Sequence, residues 1–137
     1  MSLLTKKLLL LCALMLLSTH IVHVVAHKHV NVANSLEDNL DMFLNCRSGD
    51  DDLGEHTLHH GESFGWKFDH NFFGGTKFWC LFNWNGNQEE RKFDVFVQSR
   101  DDEKDDTLNY YIVKAGPCLT QPDHPLCYNW NGDIRDM

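Results

Sequence analysis

The sequence contains none of the short motifs that mark common catalytic sites. There is no Gly-x-Ser-x-Gly elbow, no phosphate-binding P-loop and no His-Glu-x-x-His. Enzymatic activity is therefore not expected, nor is a cofactor. No Cys-x-x-Cys pair occurs, which excludes a zinc ribbon. Asn-x-Ser/Thr is absent too, so N-glycosylation is not expected. Beyond residue 27 there is no long apolar run and no 3.6-residue stripe, which argues against a membrane span or a helical core in that region. Cations are scarce: 12 Lys and Arg stand against 20 Asp and Glu, a formal charge of −8. Such a chain will not seek nucleic acid phosphates or anionic lipid unaided.

What the sequence does have begins at its first residues. Lys6 and Lys7 lead into the apolar run Leu8 to Leu17, and Val24-Val25-Ala26 places small residues at the −3 and −1 positions of a cut site. That is the layout of a secretory signal peptide. The expected organisation is a signal over residues 1–26 and one secreted, extracellular domain over residues 27–137. A membrane anchor is the rival reading, since residues 8–26 nearly reach spanning length. His20 and His23 and the Val-x-Ala pattern argue against it. Cleavage would remove both lysines and take the charge from −8 to −10, making a cationic surface the natural partner.

Cleavage would also discard Cys12, leaving Cys46, Cys80, Cys118 and Cys127. Four cysteines in an oxidising compartment suggest two disulfides. Three pairings are possible, and the reading leans slightly to the local scheme, Cys46 with Cys80 and Cys118 with Cys127.

Alternation of period two runs through the rest of the chain. Val30 and Val32; Met42, Leu44 and Cys46; Phe64, Trp66 and Phe68; and Phe78, Cys80, Phe82 and Trp84 form four such sets. Phe93, Val95 and Val97 make a fifth, with Asp94, Phe96 and Gln98 on the reverse. Tyr111 and Val113 fall in a sixth segment, Tyr128 and Trp130 in a seventh. β-Branched and aromatic residues in this pattern fit half-buried strands. Gly61-Glu62, Gly74-Gly75, Asn85-Gly86-Asn87 and Asn131-Gly132 separate them as turns, with Asn85-Gly86 a hairpin tip. The predicted class is all-β, a sandwich or barrel of about seven or eight strands.

Two acidic segments stand out. Asp50-Asp51-Asp52 lies between Ser48-Gly49 and Leu53-Gly54 and lacks the ligand spacing of a calcium loop, so it reads as a turn. Arg100-Asp101-Asp102-Glu103-Lys104-Asp105-Asp106 has no apolar residue and reads as a solvated, mobile loop. His56, His59 and His60 could suggest a metal, but no third ligand has a defined spacing, and surface histidines are the better reading. No metal is expected.

Several of these pieces together resemble the plant self-incompatibility protein S1 family, the S-protein homologues. Leu44-Asn45-Cys46-Arg47-Ser48-Gly49-Asp50-Asp51-Asp52-Leu53-Gly54 is similar to the family's Leu-x-x-Cys-x-Ser-x-Asp-Asp-Leu-Gly pattern. Phe64-Gly65-Trp66-Lys67-Phe68, Thr76-Lys77-Phe78-Trp79-Cys80, Phe93-Asp94-Val95-Phe96 and the pair Cys118 and Cys127-Tyr128-Asn129-Trp130 extend the likeness from about Val30 to Trp130. The resemblance implies a secreted antiparallel β-sandwich with two disulfides. It also implies a small signalling ligand, related to pistil proteins that act on incompatible pollen through a plasma-membrane protein.

On that reading the receptor-binding residues are sought in loops carried by a rigid scaffold. The candidates are Asp50, Asp51 and Asp52 in one loop, and Asp101, Asp102, Glu103, Lys104, Asp105 and Asp106 in the other. The alternative function is a carbohydrate-binding module for cell-wall polymers, using exposed aromatics such as Trp79 or Tyr110.

Overall fold

A computed structural model describes residues 2–21, 27–71, 73–84 and 89–136. A helix, α1 (Leu3–Ile21), comes first, and the side chains of residues 3–16 on it are exposed. Among the described residues no helix is long and apolar enough to cross a membrane. The Val24-Val25-Ala26 cut site and the Asn85-Gly86 hairpin tip lie outside the described residues.

Nine strands follow among the described residues: β1 (His27–Asn34), β2 (Met42–Arg47), β3 (Asp52–Leu58), β4 (Ser63–Asp69), β5 (Lys77–Trp84), β6 (Arg91–Val97), β7 (Thr107–Val113), β8 (Gly116–Leu119) and β9 (Leu126–Cys127). One sheet has the order β4-β1-β7-β8-β9, the other β3-β2-β5-β6. Alternate residues of β1, β2 and β5 point inward, as their apolar period requires, and Val30, Val32, Met42, Cys46, Cys80 and Phe82 are sealed from solvent. Phe64, Trp66 and Phe68 of β4 pack on this core from its edge.

The sandwich is not wholly antiparallel. β1 and β7 run parallel, His29 opposite Thr107 and Asn34 opposite Ile112. The chain leaves β6 and re-enters the first sheet from the same end at which β1 starts, so the two strands share a direction.

Three other local expectations are corrected. In β6 the register slips by one residue between Phe78 and Trp79 of its neighbour, a bulge that turns both Val95 and Phe96 inward. Phe96 is therefore buried rather than on the outer face, and Gln98, in the helical turn that follows β6, is buried as well. In β7 the inward set is Leu108, Tyr110 and Ile112, so Tyr111 and Val113 take the outer side. The last segment is a two-residue strand, after which Tyr128 makes a lone bridge to Ile134 and Trp130 packs against Phe82 and Trp84.

Gly54 does not close the acidic turn. It sits inside β3 at φ 82°, where the β2–β3 register shifts, a backbone position that side chains rarely adopt. Gly116 has φ 148°, and a Cβ there would lie 2.0 Å from the Tyr128 carbonyl oxygen.

Both disulfides follow the local scheme. Cys46–Cys80 joins directly opposed residues of β2 and β5 at the centre of one sheet, and Cys118–Cys127 joins β8 to β9 in the other. Their sequence separations are 34 and 9. On the chain-entropy model, replacing Cys46 and Cys80 by Ala costs about 4 kcal/mol and replacing Cys118 and Cys127 about 3 kcal/mol. Denaturant titration of the two double variants checks this, and the reverse order of stability would refute it.

Candidate functional site

Strand directions decide which loops can act together. β2 runs toward the end of the sandwich at which β1 starts, and β4, β6 and β8 run the same way. The β2–β3 turn, the β4–β5 loop, the β6–β7 connection and the β8–β9 loop therefore gather at one end. Both acidic segments lie there, although about fifty residues of sequence separate them.

The β2–β3 turn is built by Ser48. Its backbone N–H donates to the Asp51 carbonyl at 2.8 Å, and its hydroxyl accepts from the N–H groups of Asp50 and Asp51 at 3.3 and 3.1 Å. The carboxylates of Asp50 and Asp51 are left exposed with no side-chain partner among the described residues. Asp52 is exposed but engaged: it accepts from Gly54 N–H at 2.9 Å and from Asn45 at 3.1 Å. Those two hydrogen bonds, Gly54 first, hold its carboxyl below the ordinary carboxylate range.

The second segment differs from a solvated, mobile loop. Gln98–Asp101 forms a single helical turn, α2, and Asp101 has 0% of its surface exposed. Arg100 grips the Asp101 carboxylate with two nitrogens at 2.7 and 2.8 Å, Lys104 Nζ donates at 2.8 Å, and Val97 N–H donates at 2.8 Å. Burial alone would raise the Asp101 carboxyl, but these donors outweigh it and hold the group below its usual range. Asp101 and Lys104 are thus structural, and of that segment only Asp102, Glu103, Asp105 and Asp106 face solvent.

Lys28 completes the anchor from beneath. It is an inward-facing residue of β1, 2% exposed, and its ammonium donates to the carbonyls of Asp102 and Lys104 at 3.0 and 3.1 Å. Arg100 also donates to the Asp94 carbonyl at 2.8 Å and lies over the rings of Phe93 in β6 and Tyr128 just beyond β9.

α2 fastens the neighbouring loop. The Gln98 side chain donates to the Asn71 carbonyl at 2.8 Å and accepts from Thr76 N–H at 3.1 Å. Asn71 N–H donates to Thr76 Oγ1 at 2.7 Å, and His70 Nε2 stands 3.3 Å from Asp102. On the loop so held, Phe73 is 92% exposed. Sequence reasoning missed this residue. Its one signal was an aromatic immediately before Gly74-Gly75, outside any alternating set.

The histidines do not converge. His56 stacks on Phe64 at 3.9 Å and its Nε2 lies 3.0 Å from the Leu53 carbonyl, while His60 Nδ1 lies 2.9 Å from the Leu36 carbonyl. His59 pairs with Asp41 at 2.7 Å, at the opposite end of the sandwich. That hydrogen bond, with the charges of Asp41 and Glu62, raises its pKa, so the pair stabilises below about pH 6.5 and fades as pH rises through the raised value. Tyr110, a candidate glycan-binding aromatic, is 2% exposed and belongs to the core. Trp79 is half-buried on the outer face, with Lys92 Nζ 5.2 Å from its ring centroid.

Because Asp101 is depressed in the folded state, its contribution is present above about pH 4 and is lost as pH falls through the lowered value. Asp101→Asn leaves Arg100 and Lys104 without their counter-charge and costs about 3 kcal/mol at neutral pH. Thermal unfolding across pH 2–7 checks both statements: the variant is less stable at neutral pH and loses part of the acid sensitivity. A variant with unchanged neutral stability would contradict the anchor.

Comparison with known proteins agrees with this architecture. The family model of plant self-incompatibility protein S1 matches residues 29–130. S-protein homolog 2 of Arabidopsis thaliana is 35% identical over 125 residues, covering 85% of this chain and 76% of the relative. S-protein homolog 29 of the same plant is 37% identical over 105 residues, covering 74% and 76%. A solved structure from the SPH (Self-Incompatibility Protein Homologue) proteins, described as a widespread family of small, highly stable, secreted proteins from plants, superposes with a TM-score of 0.59 at 14% identity, covering 82% of this chain and 98% of that one. The chain belongs to the plant self-incompatibility protein S1 family.

Proposed function

We propose that this protein is exported, loses residues 1–26, and acts outside the cell as a small protein ligand for a plasma-membrane receptor. Export is supported by the signal-like layout of the first residues and by the secreted character of the solved relatives. The exposed side chains along α1 fit a leader that is no part of the sandwich.

The observation that carries the ligand reading is Phe73. A large aromatic side chain, almost fully exposed, is carried by the β4–β5 loop at the end of the sandwich that also bears the exposed Asp50, Asp51, Asp102, Glu103, Asp105 and Asp106. An aromatic anchor within a polar rim is the composition of a protein-binding hot spot. Carboxylates outnumber the neighbouring Lys67 and Lys77 at that end, an excess that would steer a cationic partner surface and raise the association rate. The matching receptor site is an apolar pocket bordered by Lys or Arg. A cell-wall glycan role has less support, because of the two aromatics named for it Tyr110 is buried and Trp79 is half-buried.

The test is binding of the secreted, oxidised domain to intact plant cells. Phe73→Ala folds normally and binds roughly 30-fold more weakly. Changing Asp50, Asp51, Asp102 and Glu103 together to Asn or Gln slows association and flattens its salt dependence, with little change in dissociation. Unchanged binding by both variants, or retention on wall polysaccharide that is lost in Trp79→Ala, would sink the proposal.

A further inference from the structure

We infer that the mature amino terminus, starting at His27, is a copper(II) site. Its donors are the His27 amine, the imidazoles of His27 and His29, and the Asp69 carboxylate. This rests on the cut after Ala26 proposed above, and on nothing about the receptor.

β1 begins at His27, and strand alternation puts His27 and His29 on one outer face while Lys28 points inward. Residues two apart on a strand are separated by roughly 7 Å, within the combined reach of two imidazoles converging on one ion. Both histidines line the same surface depression, with Lys67, Asp106 and Thr107. Asp69 is the register partner of His27, and its carboxylate already contacts His27 Nδ1. An ion would take the place of this direct contact, with both groups turned onto it.

Among the described residues no three His, Cys, Asp or Glu side chains could hold a metal as they stand. His27, His29 and Asp69 would have to turn toward one another, which the exposed His27 and Asp69 side chains are free to do, and in the uncut chain they would bring only three donors. Cleavage supplies a fourth, because the new α-amine and Nδ1 of the same histidine close a six-membered chelate ring. Three nitrogens and one carboxylate oxygen suit the tetragonal preference of Cu(II), the strongest binder among the first-row divalent ions. Binding involves no redox step: the ammonium releases one proton and the imidazoles bind neutral.

The charged neighbours allow it. Lys67 stands opposite His29, but its side chain is exposed and free to swing away. The Lys28 ammonium is occupied by the carbonyls of Asp102 and Lys104 and lies 3.8 Å from Asp106. A competing mode would use the amine, the backbone nitrogens of Lys28 and His29, and the His29 ring. It would have to break the 2.8 Å bond from His29 N–H to the Asp106 carbonyl and drag Lys28 out of its cage. The folded strand disfavours that mode.

The experiment takes the secreted protein, reads its amino terminus by mass spectrometry, and titrates it with Cu(II) under visible absorption and electron paramagnetic resonance. The expected result is a start at His27 and one equivalent bound in a nitrogen-rich tetragonal site. His29→Ala, His27→Ala (which keeps an amine), and a glycine inserted between Ala26 and His27 each weaken binding about tenfold or more while thermal unfolding stays normal. A different amino terminus, or an inserted-glycine protein that binds equally well, would overturn the proposal. Undiminished binding by His27→Ala would overturn it in favour of backbone coordination.

Discussion

Asp101 holds a negative charge out of contact with solvent, and one end of this protein is arranged around the groups that make this possible. The fork of Arg100, the ammonium of Lys104 and the N–H of Val97 satisfy the carboxylate, and each donor draws its own segment inward. Arg100 lies over Phe93 of β6 and donates to the Tyr110 hydroxyl of β7 at 3.4 Å, so the charge cluster also links the two sheets. Gln98, on the same turn of helix, carries the restraint across to Asn71 and Thr76. The exposed aromatic at Phe73 therefore stands on a loop tied to the scaffold. For the contact role proposed for Phe73, holding it in place before binding would reduce the ordering cost at the interface.

The two ends of the sandwich are fastened by buried polar residues of the same strand. Lys28 at one end of β1 caps the carbonyls of Asp102 and Lys104. Asn34 at the other binds the carbonyls of Leu40 and Leu58 and accepts from Leu36 N–H. Each is almost wholly buried with its hydrogen bonds made, the condition under which interior polar groups specify one arrangement. With Cys46–Cys80 at the centre of the other sheet, a small core is braced at its middle and at both ends.

The strands were legible because alternation forces them: Val30 and Val32, or Phe78, Cys80, Phe82 and Trp84, can share a buried face only as extended chain. Family motifs supplied the sandwich, and the local disulfide pairing proved to be the one adopted. Other features could not be read locally. The bulge that turns Phe96 inward is a property of two paired strands, and the parallel β1–β7 contact depends on a path through five intervening strands. The acidic run at Arg100 to Asp106 misled for a specific reason. Composition distinguishes charged from apolar residues but not an exposed aspartate from one gripped by its neighbour, so Asp101 and Lys104 looked like contact residues. Phe73 was overlooked because a lone aromatic before two glycines has no period to betray it.

On the proposed ligand function, the end bearing Phe73 faces the receptor. The most direct measurement places a photo-crosslinking residue singly at position 73, at position 81 on the outer face of β5, and at position 37 near the opposite end. Each protein is then irradiated on intact plant cells. The account predicts capture of one plasma-membrane protein from position 73 and little from the other two. Capture of such a protein from position 37 or 81 but not from 73 would contradict it.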